Sequence, residues 1–272
     1  METYSQRLLD ALDSWRCIVI AEIGSNFPPS PTPDTLRFLI RTAVECGADA
    51  VKFQDFFPVH SVPRPQSWRA QAAPWALPPD TITCLRELCH EAGVPFGTSV
   101  FTPDACRRAT ANDFVKIASS ESLCPTRLAA LLDLPPTAPP RPIFVSFPPT
   151  ASGRSLSLNS IALALAPWRP PFKPVALACL PRYPADPYNL TAWYARLMGL
   201  YPYPPIGISS HVPYPDALDM LDYVPVLPAA LELHLRVPGI TPDNAPDADS
   251  WSLEPAQFAE VVKAVRRREE TS

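Results

Sequence analysis

Two histidines of this chain, His211 and His234, each follow a short apolar run, residues 206–209 and 229–233. Neutral imidazoles are common ligands of divalent transition ions. Six earlier apolar runs also end in a charged or hydroxylated residue. If all eight runs are parallel strands, their carboxyl ends meet at one rim. The sequence therefore predicts a polar site with His211 and His234 as a candidate metal pair.

The other candidate residues share a place at or just beyond the end of an apolar run: Glu22, Lys52, Gln54, Ser99, Lys116, Ser119, Glu121, Ser146 and Ser209. Two lysines with several hydroxyls suit a small ligand that carries phosphate and carboxylate groups, and glutamates could move protons. The ordinary alternatives are surface lysines that reach water, serines that cap helices and hydrogen-bonded core histidines. Lys52 and Lys116 lie inside strand patterns, where an unpaired charge is costly, and this favours the functional interpretation.

The elements that must position these residues alternate between strand and helix eight times. Strands are predicted at 17–21, 48–53, 95–100, 114–118, 142–146, 175–179, 205–209 and 229–234. Helices are predicted at 34–47, with Asp34 as the cap and Gly47 as the stop, and at 81–91, 103–110, 125–132, 158–165, 190–200, 215–223 and 255–267. Helix-length crossovers predict a parallel α/β sheet closed into a (β/α)8 TIM barrel.

We expect a single domain over residues 1–272, with 1–16 as an N-terminal extension. The alternative is an open doubly wound sheet. That fold predicts a glycine-rich phosphate turn after the first strand, and residues 24–27 (GSNF) do not supply one.

Composition excludes several classes of protein. The net charge of −4 and the lack of a basic stripe argue against nucleic-acid and anionic-membrane partners. The chain shows no secretory leader and no apolar run of membrane-spanning length. Seven scattered cysteines without a CxxC pair predict reduced thiols and a cytoplasmic protein. Prolines, 38 against 8 glycines, cluster between the periodic segments and predict stiffened connections.

Six short motifs resemble the sialic acid synthase family, which includes pseudaminic and legionaminic acid synthases. They are residues 21–26 (AEIGSN), 47–54 (GADAVKFQ), 116–121 (KIASSE), 208–211 (ISSH), 232–234 (ELH) and 252–255 (SLEP). The resemblance runs in order from about Ile18 to Arg266. The VKFQ and KIAS stretches are specific when they occur together.

The resemblance implies a transferase of carbohydrate biosynthesis (EC 2.5.1 type) that condenses phosphoenolpyruvate with an amino-sugar aldehyde. His211 and His234 match the metal pair, which holds Mn²⁺ or Mg²⁺. Six positions match those that hold the phosphate and carboxylate of phosphoenolpyruvate: Lys52, Ser99, Lys116, Ser119, Ser146 and Ser209. Gln54, Glu121 and Tyr183 match positions near the acceptor. Glu22 matches the acidic residue of the first strand, and either Glu22 or Glu121 could orient water or shuttle a proton.

Departures from the family pattern fall mainly on the acceptor side. Asn26 is followed by Phe27 and two prolines instead of His-Asn-Gly, and Ser120, Pro181 and Ser210 replace the usual residues. The Pro-Gly-Pro-Asp segment is replaced by residues 244–250, where either Asp247 or Asp249 could take the place of its aspartate. The C-terminal antifreeze-like domain, which completes the sugar pocket from a partner subunit, is not expected here. We therefore expect a different acceptor aldehyde or a separate lid subunit.

Two other functions stay open. A lysine Schiff-base aldolase would use Lys52 or Lys116 in the same barrel. A non-catalytic relative would bind a sugar or a partner protein on the retained scaffold. A homodimer is expected only from the resemblance.

Overall fold

In the computed structural model, which describes residues 3–62, 64–122, 140–149, 172–200 and 205–271, eight parallel strands close into a barrel in chain order. The strands are β1 (Ile18–Gly24), β2 (Ala50–Asp55), β3 (Phe96–Val100), β4 (Phe114–Ile117), β5 (Arg141–Phe147), β6 (Phe172–Cys179), β7 (Ile206–Ser210) and β8 (Ala230–His234). Each strand pairs with the next, and β8 pairs with β1. The predicted TIM barrel is confirmed.

Eight described helices accompany the strands: α1 (Tyr4–Asp13), α2 (Pro33–Glu45), α3 (Gln66–Ala72), α4 (Pro79–Glu91), α5 (Pro103–Arg108), α6 (Pro187–Leu200), α7 (Asp216–Tyr223) and α8 (Pro255–Glu269). Several begin at a proline because the first helical N–H needs no intrahelical acceptor. The helices predicted at 125–132 and 158–165 lie outside the described residues. None of the described helices is long and apolar enough to cross a membrane.

Two details of the connections differ from the sequence prediction. Thr32, not Asp34, caps α2, and its hydroxyl accepts a hydrogen bond from the Thr35 amide at 3.2 Å. Asp34 lies in the first turn because Pro33 already occupies the first helical position. The proline-rich connection between β2 and α4, predicted only as a stiffened connection, also contains regular secondary structure. It contains α3 and two single-turn 3₁₀ helices, Val59–Ser61 and Ala73–Trp75.

The lower half of the barrel interior is apolar and is closed by α1. Leu8 and Leu12 of α1 pack against the inward-facing side chains of the strands, including Ile20, Phe114 and Phe144. A second and larger core lies between the strands and the outer helices. The sequence predicted residues 1–16 only as an extension, and the structure gives α1 the role of a floor. The domain limits 1–272 and 1–16 stay predictions.

Gly207 of β7 shows how tightly this interior is filled. A Cβ atom at this position would lie 2.4 Å from the Ala230 carbonyl oxygen and 2.6 Å from Leu177 Cδ2. Real Cβ atoms do not approach backbone oxygens so closely, so only glycine fits between β6 and β8 here.

We predict that Gly207→Ala destabilises the protein by about 1 to 3 kcal/mol, because β8 must shift to admit the methyl group. Gly199→Ala is the matched control, since nothing lies within 4 Å of its added Cβ and α6 gains helix propensity. Urea unfolding followed by circular dichroism measures both variants. Equal midpoints for the two would show that the barrel absorbs the methyl group without strain.

Candidate active site

The upper half of the barrel interior is lined by polar side chains, which reach it because every second residue of a strand points inward. On five strands, an inward-facing apolar residue is followed two positions later by an inward-facing polar residue. The apolar residues are Ile20, Ala50, Phe114, Phe144 and Ala230, and the polar residues are, in the same order, Glu22, Lys52, Lys116, Ser146 and Glu232. The register places Glu22 beside Lys52, Ser99 beside Lys116 and Ser209 beside Glu232. One layer of the barrel therefore collects charges from strands that are distant in sequence.

These side chains open into a cavity of about 550 Å³ at the carboxyl ends of the strands. All but one of the predicted site residues line it: Glu22, Lys52, Gln54, Ser99, Lys116, Ser119, Ser146, Tyr183, Ser209, His211 and His234. The exception, Glu121, is buried beside the wall, where its Oε1 lies 3.2 Å from Arg64 and accepts a hydrogen bond from Ser120. The volume suits small-molecule ligands.

An alternating chain of charges forms the centre of the site. Lys52 contacts the Glu22 carboxylate, and its Nζ lies 3.8 Å from Glu232 Oε2. Lys116 Nζ donates to both oxygens of Glu232, at 2.6 and 2.8 Å. All four side chains are almost fully buried. Burial on this scale requires that each charge has an opposite partner.

Hydroxyl groups complete this charge chain. Ser99 accepts a hydrogen bond from Lys52 at 2.6 Å, and Ser209 donates to Glu232 at 2.8 Å. Among the described residues that line the cavity, two buried oxygens have no partner, Glu22 Oε1 and Ser146 Oγ. Buried polar atoms are rarely left unsatisfied in native proteins. These atoms are therefore available to a ligand or a bound water.

The environment shifts the pKa values of two of these groups in the same direction. Burial lowers the pKa of Lys52 to about 7, although the Glu232 carboxylate acts in the opposite direction. Burial alone would raise the pKa of Glu232, but the ammonium groups of Lys116 and Lys52 outweigh it and hold the pKa well below its usual range. Glu232 is therefore ionised at neutral pH.

The two histidines meet as predicted. The ring centroids of His211 and His234 lie 5.3 Å apart. His211 Nδ1 lies 3.0 Å from the Leu180 carbonyl oxygen, which can only accept, so Nδ1 carries the proton and Nε2 keeps its lone pair. Burial, with His234 beside it, lowers the pKa of His211 to about 3, and burial also lowers that of His234. Both rings are neutral at physiological pH.

This pair fits the requirements of a divalent ion. Neutral imidazoles are the form that binds metal, and a carbonyl partner on Nδ1 is the usual way to orient a histidine ligand. The buried Nδ1 of His234 has no partner among the described residues. No cluster of three or more histidine, cysteine or acidic side chains in the described ranges is arranged as a complete metal site. An ion held by His211 and His234 would leave its other positions to ligand oxygens.

Asp247 is the aspartate that reaches the cavity. Its Oδ2 accepts hydrogen bonds from the Ser25 amide at 2.9 Å, the Ser25 hydroxyl at 2.7 Å and Gln54 Nε2 at 3.0 Å. Asp249 is exposed. Asp247 can approach β1 this closely because β1 has a bulge at Gly24, whose φ is +60°. A Cβ added to Gly24 would lie 2.4 Å from Asp247 Oδ2. The structure thus selects between the two candidates that the sequence left open.

Several cavity residues were not among the predicted site residues: Arg64, Trp68, Cys179, Glu232 and Trp251. Glu232 carried a usable signal, since it is the charged residue of an apolar strand and stands two positions before His234, on the same face. Cys179 is the last residue of β6. It could have been identified from its position, because the carboxyl ends of the strands line the cavity. Arg64, Trp68 and Trp251 come from connections, where residue periodicity gives no signal.

The model of the NeuB family matches residues 39–272. No curated protein matches the chain significantly.

Three solved structures illustrate the structural similarity. N-acetylneuraminic acid synthetase from Leptospira borgpetersenii, solved with citrate, superposes with a TM-score of 0.75 at 19% identity over 94% of this chain and 84% of that chain. Spore coat polysaccharide biosynthesis protein SpsE from Bacillus subtilis gives 0.69 at 25% identity, over 93% and 68%. A truncated 3-deoxy-D-arabino-heptulosonate 7-phosphate synthase from Thermotoga maritima gives 0.62 at 10% identity, over 94% and 87%. The likeness to the first and third of these shows the fold alone.

We predict that Glu232→Gln destabilises the protein by about 3 kcal/mol, because it leaves the buried Lys116 ammonium without its counter-charge. The matched control is Asp104→Asn, which breaks the exposed pair between Asp104 and Arg107 and is expected to cost less than about 1 kcal/mol. Urea unfolding gives both values. A loss no larger than that of the control would mean that Lys116 does not depend on Glu232.

Proposed function

Because the chain belongs to the NeuB family, we propose that it is a condensing enzyme that joins the three-carbon unit of phosphoenolpyruvate to an aldehyde acceptor. Sialic acid synthase-like condensation is the reaction class that the family supports. One observation carries the finer assignment. His211 and His234, with ring centroids 5.3 Å apart, share a cavity with the buried Lys52 and Lys116.

The donor end of the site suits an enol phosphate. Phosphoenolpyruvate carries a phosphate and a carboxylate, and charge-assisted hydrogen bonds from lysine are strong where water is excluded. Lys52 and Lys116 would supply these bonds, with Ser99, Ser119, Ser146 and Ser209 as hydroxyl partners. The buried Ser146 hydroxyl is well suited to this role because it has no partner within the described residues.

Glu22 is the better candidate for the base that prepares water. Its Oε2 is held by Lys52, and its Oε1 is buried in the cavity wall without a partner in the described chain. Glu121 already accepts hydrogen bonds from Arg64 and Ser120. The sequence could not choose between the two glutamates, and these contacts favour Glu22.

In the proposed reaction, C3 of phosphoenolpyruvate forms a bond to the aldehyde carbon, and the aldehyde oxygen takes up a proton to become a hydroxyl. Glu22 takes a proton from the water whose oxygen adds at C2, and this proton balances the one that the aldehyde oxygen takes up. The C2–O bond to phosphate then breaks while the C2 hydroxyl gives its proton to the departing phosphate, which leaves a 2-keto acid and inorganic phosphate. A Mn²⁺ or Mg²⁺ ion on His211 and His234 would supply Lewis-acid polarisation of the acceptor carbonyl.

The acceptor end of the site is where we propose divergence. Phe27, which replaces a polar residue of the family pattern, is fully buried against Phe53, with ring centroids 6.0 Å apart. Glu121 is engaged by Arg64, and Pro181 lines the cavity. Gln54, Asp247 and Tyr183 remain there as polar contacts for a sugar-like aldehyde. We propose an acceptor other than N-acetylmannosamine, or a separate lid subunit that completes the pocket.

We predict that phosphate release from phosphoenolpyruvate with a panel of aldehydes requires a divalent ion, stops with a strong chelator and returns with Mn²⁺. His211→Ala should lower both bound metal and turnover at least about a hundredfold while the fold remains intact, because a single imidazole cannot hold the ion. Metal content and phosphate release are measured in parallel, with circular dichroism as the check of folding.

His60→Ala is the matched control, since the His60 side chain is exposed and does not line the cavity. If His211→Ala unfolds the protein and leaves its metal content unchanged, His211 is a core histidine and the proposal is wrong. Brisk turnover with N-acetylmannosamine would rule out a changed acceptor while supporting the condensation itself.

The lowered pKa of Lys52 supports a second candidate, the lysine Schiff-base aldolase. An amine with a pKa of about 7 is substantially neutral above pH 7 and can attack a carbonyl. In this case a carbonyl substrate with borohydride should add covalent mass to the protein, with a yield that rises between pH 6 and 8 as Lys52 loses its proton. Lys52→Met should abolish the labelling.

Mass spectrometry of peptides after borohydride treatment distinguishes the two functions. Lys173→Met is the control, since this lysine pairs with Asp13 outside the cavity. Labelling at Lys52 together with activity that resists chelators would replace the condensing enzyme by the aldolase. Activity without labelling would eliminate the aldolase.

A further inference from the structure

One wall of the cavity is a row of four rings. Trp251 packs edge-on against Tyr183 with ring centroids 5.2 Å apart, Tyr183 lies 4.1 Å from His211, and His211 lies 5.3 Å from His234. Tyr183 is half-exposed at the mouth, whereas both histidines are buried. The row therefore leads from the opening of the cavity to the histidine pair.

The segment that carries Trp251 is fixed to the barrel. Leu253 donates its amide to the His234 carbonyl at 2.8 Å, and Arg236 donates to the Leu253 carbonyl at 3.0 Å, which continues β8 beyond its end. Ser252 is buried and accepts a hydrogen bond from Asn26 at 3.1 Å. Trp251 is thus held at the cavity by hydrogen bonds of its neighbours to the end of β8 and to Asn26, which follows β1.

The indole of Trp251 has an unused donor. Its Nε1 is buried and has no acceptor anywhere in the described ranges of the chain. Indole N–H can only donate, and a buried donor without an acceptor is destabilising. Trp75 and Trp193, by contrast, donate to the Phe27 and Phe147 carbonyls at 2.8 and 2.7 Å. Trp251 differs from these two tryptophans because it lines the cavity and its N–H has no acceptor within the described residues.

We propose that Trp251 is a specificity-determining residue that donates its indole N–H to an oxygen of the acceptor aldehyde. This inference rests on the proposed condensing function. The donor-only N–H selects acceptors with a carbonyl or hydroxyl oxygen beside the ring wall. The faces of Trp251 and Tyr183 suit the C–H surface of a polyhydroxylated chain. The substrate class is therefore a sugar-like aldehyde and not a simple alkyl aldehyde.

The first experiment measures binding without turnover. The protein carries six tryptophans, so ¹⁵N-indole labelling gives six N–H signals, and Trp251→Phe identifies the signal of Trp251. The titrants are the polyhydroxylated aldehydes of the panel used for phosphate release, N-acetylmannosamine among them, each raised until it saturates or reaches its solubility limit, and propionaldehyde is the comparison. We expect the Trp251 signal to move with at least one of these sugars and not with propionaldehyde, while the signal of the exposed Trp15 stays in place. A Trp251 signal that none of the sugars moves overturns the inference.

The second experiment separates the N–H from the ring. Trp251→Phe keeps an aromatic ring beside Tyr183 and removes the N–H together with part of the indole ring. We expect the KM for the sugar aldehyde to rise about five- to tenfold with the KM for phosphoenolpyruvate unchanged. Trp15→Phe is the matched control. Equal acceptor KM values for Trp251→Phe and the parent protein, with a loss only in Trp251→Ala, would show a packing role and overturn the inference.

The two readouts separate this inference from the proposed function. A Trp251 signal that moves with the sugar in a protein that releases no phosphate would support the binding role and defeat the condensing reaction. Phosphate release by the parent protein together with a Trp251 signal that does not move would support the condensing reaction and defeat the binding role of Trp251.

Discussion

The pairing of two buried ammonium groups with two buried carboxylates is the constraint around which this site is built. Lys52 and Lys116 come from β2 and β4, whereas Glu22 and Glu232 come from β1 and β8. Unpaired, any of these charges would be too costly to hold inside a barrel. Glu232 reaches both lysines only because β8 lies next to β1. The closure of the sheet and the charge balance therefore depend on each other.

The rigid and the variable parts of the site occupy different elements. The charged groups and the two histidines stand on strands or directly after them, where both neighbours in the sheet fix the backbone. Arg64, Asp247 and Trp251 come from connections at the mouth. This division matches most of the departures from the family pattern, which fall on the connections, whereas Ser210 lies at the end of β7. Such a division permits the acceptor substrate to change while the reaction stays the same.

The strand pattern of the sequence contained most of the fold and much of the site. Apolar runs of strand length that end in polar residues predicted the barrel. Because the carboxyl ends of parallel strands meet at one rim, the same pattern predicted that Lys52, Lys116 and both histidines share one cavity, as they do. Residues on the connections could not be found in this way, since the position of Trp251 depends on how its segment pairs with the end of β8. The cap of α2 was misplaced for a local reason, the proline between Thr32 and Asp34.

The closure of the lower end of the barrel by α1 has a consequence for the order in which ligands bind and leave. Within the described residues α1 closes the lower end of the barrel, so molecules bound beside Lys52 and those bound beside Trp251 share the upper opening. An enol phosphate at the lysines would thus be trapped by a sugar seated against the aromatic wall. Loading would follow a compulsory sequence, inner ligand first, and the outer product would have to leave before the phosphate beneath it could escape.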